Sequence, residues 1–293
     1  MKKRIISGVV MGALVALVLV LGIYLENLII TTFIAIVAAL GVVEFVCNAA
    51  KIDNVILKIL SALYTVSMVF ILSEWLESIL RTTNTFSNMG TSAIELETTD
   101  LYMPMIAALV TVVYFIACAV FILIKQADFD LSKIVSLCAM PLFLAFAFST
   151  LGSIVITFGN IYYLLLVLNF SCVCDMGAYF VGVSMGKTKL CPTISPNKTV
   201  EGALGGIISS VIVSLVITLC FGKFDKILPT LLLTIPLCVS GMIGDLFASI
   251  IKRKVGLKDY GDLIPGHGGV LDRVDSVLFI SPLVYGLLFV GAF

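Results

Sequence analysis

The most polar stretch of the chain, residues 249–275, brings acidic and basic side chains together around a histidine. Gly268 and Gly269 follow that histidine, and exposed backbone amides in a glycine-rich turn beside cations can bind a phosphate. Carboxylates in the same place would repel a phosphate unless a divalent cation lay between them, so the stretch predicts a nucleotide-phosphate enzyme. The candidate residues are Ser249, Lys252, Arg253, Lys258, Asp259, His267, Asp272, Arg273 and Asp275.

A charged loop between two membrane helices can also do no more than set the orientation of the chain. The density of charges of both signs and the glycines on either side of His267 favour a functional interpretation. His267 itself can be a general base, a metal ligand or a hydrogen-bonding loop residue, and its neighbours favour contact with a phosphate.

The composition places these residues in a membrane protein, because 60% of the chain is hydrophobic and only 12% is charged. Apolar runs near the ~20 residues that a bilayer needs recur throughout, so we predict an all-α polytopic membrane protein with about nine transmembrane helices. A formal net charge of zero gives no support for a nucleic-acid partner. The predicted spans are 5–24, 28–48, 55–76, 103–125, 134–157, 161–185, 201–222, 228–252 and 274–293.

The distribution of lysine and arginine predicts the orientation of these spans. With the N-terminus in the cytoplasm, only Arg81, Lys223 and Lys226 of the 18 basic residues fall on the outer side. The charged loops 186–200 and 253–273 then face the cytoplasm, where nucleotides are. We therefore expect the active site at the cytoplasmic ends of the C-terminal helices. The chain length and the lack of a targeting extension favour a bacterial plasma membrane.

Ionisable residues inside the spans divide the chain into two predicted domains. Residues 1–160 carry few of them, Glu44 and Glu74 being the exceptions, and are predicted to be a scaffold of about five helices with an acidic outer loop at 77–102. Residues 161–293 carry Asp175 and Asp245 and are predicted to be catalytic.

Helical spacing groups the carboxylates of the second half with small and polar residues. Gly241, Asp245, Ser249 and Lys252 share one helix face, and Asp272 and Asp275 are i, i+3 neighbours at a helix entrance. Carboxylates from more than one helix, completed by water and phosphate, suit Mg²⁺. For Asp175 the spacing leaves two roles open, namely contact with metal or substrate and a structural pair with Lys187 or Lys189.

A second basic element, residues 186–202, precedes these helices. Ser195 followed by a proline predicts a helix N-cap, at which Ser195 and Lys198 could bind a phosphate. The spacing of its glycine and lysine does not fit a P-loop. Gly202, Gly205 and Gly206 are predicted to permit close helix packing.

Taken together, these residues resemble the phosphatidate cytidylyltransferase (CDP-diacylglycerol synthase) family. The upstream segment from Asp175 to Gly202 is similar to the family as well, whereas residues before 170 resemble it only in hydropathy. The positions that match the C-terminal signature are Ser249, Ile251, Lys252, Arg253, Lys258, Asp259, Gly261, Pro265, His267, Gly268, Gly269, Asp272, Arg273 and Asp275.

The resemblance implies that CTP and phosphatidate, drawn from the bilayer, give CDP-diacylglycerol and pyrophosphate. It implies that Asp245 and Asp272 hold Mg²⁺, with a second cation such as K⁺ left open. Asp259 and Asp275 would orient the basic residues or assist the metal. Phosphates would be bound by Ser249, Lys252, Arg253, Lys258, His267 and Arg273, and the lipid phosphate or CTP by Lys187, Lys189, Ser195 and Lys198. The other candidate substrate-binding residues are Asp175, Gly268 and Gly269.

Two other functions remain as alternatives. A CTP-dependent polyprenol kinase or related isoprenoid-lipid cytidylyltransferase would share the membrane topology and the cytoplasmic nucleotide loops. A proton-coupled secondary transporter would explain Asp175 and Asp245, but the charges cluster on one face of the membrane instead of at its midplane. The sequence leaves homodimer formation and the acyl-chain preference open.

Overall fold

The computed structural model describes residues 27–89, 98–125, 130–157, 161–264 and 268–292, with isolated residues 10, 13, 17 and 18 near the N-terminus. Helices make up most of this part of the chain, and two π-helical segments and one β-hairpin lie among them. The elements are α1 (Asn27–Glu44), a first π segment (Phe45–Ala49), α2 (Val55–Met89), α3 (Thr98–Lys125), α4 (Leu131–Thr157), α5 (Ile161–Leu168), a second π segment (Asn169–Val173), α6 (Cys174–Met185), β1 (Lys189–Cys191), β2 (Ser195–Thr199), α7 (Val200–Cys220), a short 3-10 helix (Phe224–Lys226), α8 (Ile227–Lys254) and α9 (Leu271–Phe289).

Seven stretches within the described residues are long and apolar enough to cross a membrane. A helix suits this setting because it satisfies every backbone polar group internally, where lipid offers no partner. The all-α polytopic class predicted from the sequence is therefore confirmed. The seven stretches are Leu28–Ala49, Val55–Ile79, Tyr102–Ile124, Leu131–Ile156, Ile161–Met185, Val200–Cys220 and Phe224–Lys254.

The remaining two predicted spans stay predictions. Most of the span at 5–24 lies outside the described residues. The span at 274–293 corresponds to α9, whose first turn is charged through Asp272, Arg273 and Asp275, and α9 is not among the seven stretches.

The first of two compact units comprises residues 1–159 and 259–273. In this unit α2 packs against α1, α3 and α4. The ring of Tyr64 in α2 stacks on that of Tyr114 in α3, with centroids 4.2 Å apart, and the Tyr114 hydroxyl donates to the carbonyl of Leu137 in α4 at 2.8 Å. Polar groups of neighbouring helices thus pair with one another inside an apolar environment.

The second unit comprises residues 160–258 and 274–293. Its helices α6 and α7 approach closely, because a Cβ at Gly205 would overlap the Val181 side chain and one at Gly206 would overlap the carbonyl of Cys174. A Cβ at Gly202 would likewise come within 2.7 Å of the carbonyl of Ala178. The prediction that these three glycines permit close helix packing is confirmed.

The division into units differs in detail from the predicted domains, because residues 259–273 group with the N-terminal half. The functional division that we predicted at residue 160 stays a prediction. The predicted outer loop at 77–102 is corrected at both ends, since α2 continues to Met89 and α3 begins at Thr98. Residues 77–89 contain neither glycine nor proline, so nothing in them ends the helix that precedes them. Residues 90–97 lie outside the described part.

Candidate active site

An ion pair in the second unit joins a lysine of the hairpin to a carboxylate of α8. The Nζ atom of Lys198 lies 2.5 Å from Oδ2 of Asp245. The two side chains are 27% and 26% exposed, but the Nζ atom of Lys198 is itself buried. The hydroxyl of Ser249, one turn further along α8, donates to Oδ1 of Asp245 at 3.5 Å. The pair is therefore a carboxylate neutralised by a buried ammonium nitrogen.

Further charges surround this pair, from α6, α8 and α9. Asp175 lies close enough to Lys198 and Asp245 to interact electrostatically with both. Asp275 interacts in the same way with Asp245 and with Lys252, whose side chain is buried. Three carboxylates and two ammonium groups thus converge from three helices and the hairpin. Lys198, which the sequence did not suggest as a partner of Asp175, thus interacts with it electrostatically.

The hairpin that carries Lys198 is fixed by the start of α7. Strand β1 pairs antiparallel with β2, Lys189 lying opposite Thr199 and Cys191 opposite Ser195. The carboxylate of Glu201, in the first turn of α7, accepts the backbone N–H groups of Lys187 and Thr188, each at 3.1 Å. Glu201 therefore holds the turn by which the chain enters the hairpin.

The predicted helix start at Ser195 is wrong. Ser195–Thr199 forms β2, and α7 begins at Val200 with Thr199 as its N-cap, the Thr199 hydroxyl accepting the N–H of Gly202 at 3.1 Å. A proline after Ser195 fits an edge strand as well as a first helical turn, so the residue pair did not discriminate between them. Lys187, just before this hairpin, and Lys189, the first residue of β1, are exposed.

A π-helical segment, Asn169–Val173, immediately precedes α6 and Asp175. The side-chain amide of Asn169 is buried and donates to the carbonyl of Ser210 at 3.0 Å and to the hydroxyl of Ser214 at 2.8 Å, both in α7. Such π segments are frequent at functional sites because they rotate the residues that follow them. Asp175 is the second residue of the helix that follows this segment.

In the first unit, the C-terminal signature forms a loop that folds back on Asp272. Oδ2 of Asp272 accepts the N–H of Tyr260 at 2.7 Å and that of Gly269 at 3.0 Å. Ile264 donates its N–H to the carbonyl of Gly268 at 2.9 Å, and Gly268 has a φ of 81°, which glycine adopts without a steric penalty. The loop is thus shaped by backbone hydrogen bonds that converge on one carboxylate.

These hydrogen bonds correct one expectation about phosphate binding. The sequence suggested that the amide of Gly269 would be exposed to a phosphate, but Gly269 is buried and its amide donates to Asp272. A carboxylate early in a helix commonly reaches back to an amide just before the helix. His267 and Pro265 lie outside the described residues.

Four further candidate residues between positions 249 and 275 are exposed. Lys258, Asp259 and Arg273 are exposed, as is Arg253, whose guanidinium donates to the carbonyl of Leu257 at 3.2 Å. Asp275 accepts the N–H of Ser276 at 2.8 Å. Exposed cations near the ends of α8 and α9 remain suited to the phosphates of a soluble nucleotide.

One residue that the sequence did not select is Glu44, at the end of α1. Its carboxylate accepts the N–H of Leu271, the first residue of α9, at 3.0 Å. Asp262 and Asp272 lie near enough to interact with it electrostatically. The only sequence signal was that Glu44 is one of few carboxylates within the apolar first half.

The donor chemistry of both units fits Mg²⁺, although in different ways. Asp245 and Asp272, the predicted ligands, belong to different units, and across the described residues no three histidine, cysteine or carboxylate side chains form a ready metal cluster. Mg²⁺ in nucleotide enzymes is usually held by one or two carboxylates together with water and phosphate oxygens, so a complete protein cage is not required. Backbone hydrogen bonds to Asp272 are of the kind that orient a ligating carboxylate.

Apolar helices that carry converging carboxylates and lysines define a polytopic membrane protein with a charged site. A family model described as the cytidylyltransferase family matches residues 2–290, and the chain belongs to this family. The resemblance drawn from the signature residues is thereby confirmed.

The chain is also similar to proteins named phosphatidate cytidylyltransferase. It is 50% identical to that of Bacillus subtilis (strain 168) over 114 residues, 39% of this chain and 42% of the relative. It is 51% identical to that of Staphylococcus epidermidis (strain ATCC 12228 / FDA PCI 1200) over 114 residues, and 50% identical to that of Staphylococcus aureus (strain COL) over 115 residues. Each of the latter two matches covers 39% of this chain and 44% of the relative, so each matched segment spans less than half of the relative's length.

Proposed function

We propose that this protein transfers the cytidylyl group of CTP to phosphatidate, giving CDP-diacylglycerol and pyrophosphate for membrane phospholipid biosynthesis. The observation that supports this most directly is the Lys198–Asp245 ion pair, with Asp175, Lys252 and Asp275 around it. Family membership and the names of the relatives agree with the same reaction class.

The reaction needs charge neutralisation more than proton transfer. A phosphate oxygen of phosphatidate, already ionised at neutral pH, attacks the α-phosphorus of CTP. The bond from that phosphorus to the oxygen that bridges it to the β-phosphorus breaks, and pyrophosphate leaves with that electron pair. Two anions must approach each other, so stabilisation by cations supplies most of the catalysis.

Asp245 and Asp272 are the residues that we propose to hold Mg²⁺, with a second cation such as K⁺ nearby. Bound there, Mg²⁺ supplies charge neutralisation to the triphosphate and the leaving pyrophosphate. Lys198 balances Asp245 and can turn to a phosphate oxygen, because a lysine ammonium on a four-carbon stem changes partner easily. Asp272 keeps its orientation through the amides of Tyr260 and Gly269.

The remaining cations suit the two substrates. We propose that Lys252, Arg253, Lys258, His267 and Arg273, with Ser249, bind the phosphates of CTP. Lys187, Lys189 and Ser195, close to the start of α7, are suited to the lipid phosphate, and Asp259 and Asp275 orient the basic side chains. Phosphatidate reaches the site laterally, because its acyl chains need not leave the bilayer.

We further propose about nine membrane helices, with the N-terminus and the charged loops in the cytoplasm of a bacterial plasma membrane. The basic residues of the hairpin and of the end of α8 support this orientation, because positive charges are retained on the cytoplasmic side. A cysteine-labelling experiment tests it. A single cysteine at 198 or 254, in a variant lacking the native cysteines, should react with a membrane-impermeant maleimide only in inverted vesicles.

The activity itself is tested by measuring pyrophosphate release from CTP with detergent-purified protein, Mg²⁺ and phosphatidate. We expect release that depends on phosphatidate and that is lost in Asp272→Ala. CTP consumption with a polyprenol, and none with phosphatidate, would contradict the proposal in favour of the kinase alternative. Absence of turnover with both lipids, while CTP still binds, would contradict both enzymatic proposals.

A further inference from the structure

The end of α1 and the first π segment contact the signature loop of the same unit. Glu44 is the last residue of α1, and Phe45 and Asn48 belong to the π segment that follows. All three lie in a half of the chain to which the sequence assigned only a scaffold role. Their contacts lead to Asp272, one of the two proposed metal ligands.

Glu44 acts as a cap for α9 from a distant part of the chain. Oε2 of Glu44 accepts the N–H of Leu271 at 3.0 Å, and the N–H of Val270 also interacts with the carboxylate. The exposed fractions of Glu44 and Leu271 are 9% and 1%. The first amides of a helix lack partners within the helix, and a carboxylate there is favoured by the helix dipole. Glu44 thus fixes the backbone one residue before Asp272.

Two glycines of the loop make room for this carboxylate. A Cβ at Gly261 or at Gly269 would overlap the carboxylate of Glu44. The loop therefore wraps around the Glu44 side chain, and its path on both sides depends on that side chain.

Asn48 and Phe45 fix the other end of the loop at Tyr260. The side-chain amide of Asn48 donates to the carbonyl of Tyr260 at 2.5 Å, and the rings of Phe45 and Tyr260 lie 6.0 Å apart. The exposed fraction of Tyr260 is 2%. The N–H of Tyr260 donates to Asp272, so Asn48 holds the peptide unit that follows this hydrogen-bond donor.

We propose that Glu44 is a positioning residue, which sets the orientation of the Asp272 carboxylate by holding the backbone at Val270 and Leu271, directly before it. The inference rests on the proposed function, in which Asp272 binds Mg²⁺. It gives the N-terminal half a specific part in the reaction. A residue with a merely structural role would change the amount of folded protein but not the Mg²⁺ concentration at which the folded protein is half-active.

The first test is hydrogen exchange of the full chain in detergent, without substrates, for wild type and Glu44→Gln. Glutamine has nearly the same size but only one acceptor oxygen, and it places an NH₂ group against the helix start. We expect the amides of peptides within 260–272 to exchange about tenfold faster, as the loss of roughly one hydrogen bond implies. The matched control is Glu74→Gln, an exposed carboxylate of α2, for which exchange in this loop should not change.

The second test is CTP turnover with phosphatidate as a function of Mg²⁺. Glu44→Gln should raise the half-saturating Mg²⁺ concentration about tenfold, since residues that orient metal ligands typically contribute 10–100-fold to metal affinity. The value for Glu74→Gln should equal that of the wild type. Faster exchange with an unchanged Mg²⁺ requirement would overturn the proposal and leave Glu44 as a helix cap only.

A double-variant cycle distinguishes loss of the contact between Glu44 and the loop from general misfolding. Gly261→Ala keeps Glu44 but places a methyl group against its carboxylate, so it should accelerate exchange as well. In a Glu44→Ala background the same methyl group fills space that the side chain has left, so its effect should largely disappear. Equal effects in both backgrounds would overturn the proposed contact. If the wild type did not turn over CTP, the proposed function would fail, and the exchange results alone would decide whether Glu44 holds the loop.

Discussion

Glu44 and Asp272 in the first compact unit are held by different means from Asp245 in the second. In the first unit, Glu44 and Asp272 accept backbone N–H groups. In the second unit, Asp245 faces the ammonium group of Lys198. A carboxylate bound to backbone amides fixes the shape of a loop, whereas one bound to a flexible lysine can exchange that partner for a metal ion and leave the lysine to bind a substrate phosphate. The comparison separates residues that hold the site from residues that respond to substrate.

The largest effects are expected for Asp245→Asn and Asp272→Asn. Each should lower kcat by about 10²–10³-fold, because a group that stabilises transition-state charge is lost. They should differ in hydrogen exchange, since only Asp272 accepts the amides of Tyr260 and Gly269. Asp272→Asn should therefore accelerate exchange in the 259–271 loop, and Asp245→Asn should not. Acceleration in both variants would show that the two kinds of carboxylate are not distinct.

Lys198→Met should have the next largest effect. It leaves the carboxylate of Asp245 without its lysine partner and removes a cation from the hairpin, so kcat should fall about 10²-fold. Lys198→Arg should restore little of the lost activity, because a planar guanidinium does not reproduce the geometry of an ammonium group. Activity is measured at saturating CTP and Mg²⁺. Full activity of Lys198→Arg would mean that only the charge matters at this position.

A smaller effect is expected for Glu201→Gln, which compares a carboxylate bound to backbone amides with Asp245 in the same unit. Glu201 binds the amides of Lys187 and Thr188 and so resembles Glu44 in its manner of binding. Its loss should raise the KM for one of the substrates about tenfold or less, as the loosening of a charge-assisted hydrogen bond implies, with kcat nearly unchanged. A large fall in kcat with KM unchanged would instead show that Glu201, like Asp245, acts in the chemical step.

Hydropathy and helical spacing were enough to predict much of this architecture. Spans such as 161–185 and 201–222 agree closely with the observed stretches Ile161–Met185 and Val200–Cys220, because each must satisfy its backbone within an apolar environment. The spacing of Asp245 and Ser249 predicted that they share one face of α8, and there the Ser249 hydroxyl donates to Asp245. Local periodicity is sufficient for features that lie within one helix.

Other features depend on contacts that no local pattern contains. The hydrogen bond from Leu271 to Glu44 joins residues 227 positions apart, and no pattern in the sequence connects them. The π segments at Phe45–Ala49 and Asn169–Val173 have apolar compositions like those of the α-helices beside them. The electrostatic interaction of Asp175 with Lys198 depends on the hairpin that carries this lysine. Tertiary packing decides all three.

The central claim, cytidylyl transfer to a lipid phosphate, is tested most directly by following isotopic label from CTP in purified protein with phosphatidate and Mg²⁺. Label at the α-phosphorus of CTP should appear in CDP-diacylglycerol, and label at the γ-phosphorus should appear only in pyrophosphate. Transfer of the γ-label to the lipid, with CDP as the second product, would contradict the account and establish a lipid kinase.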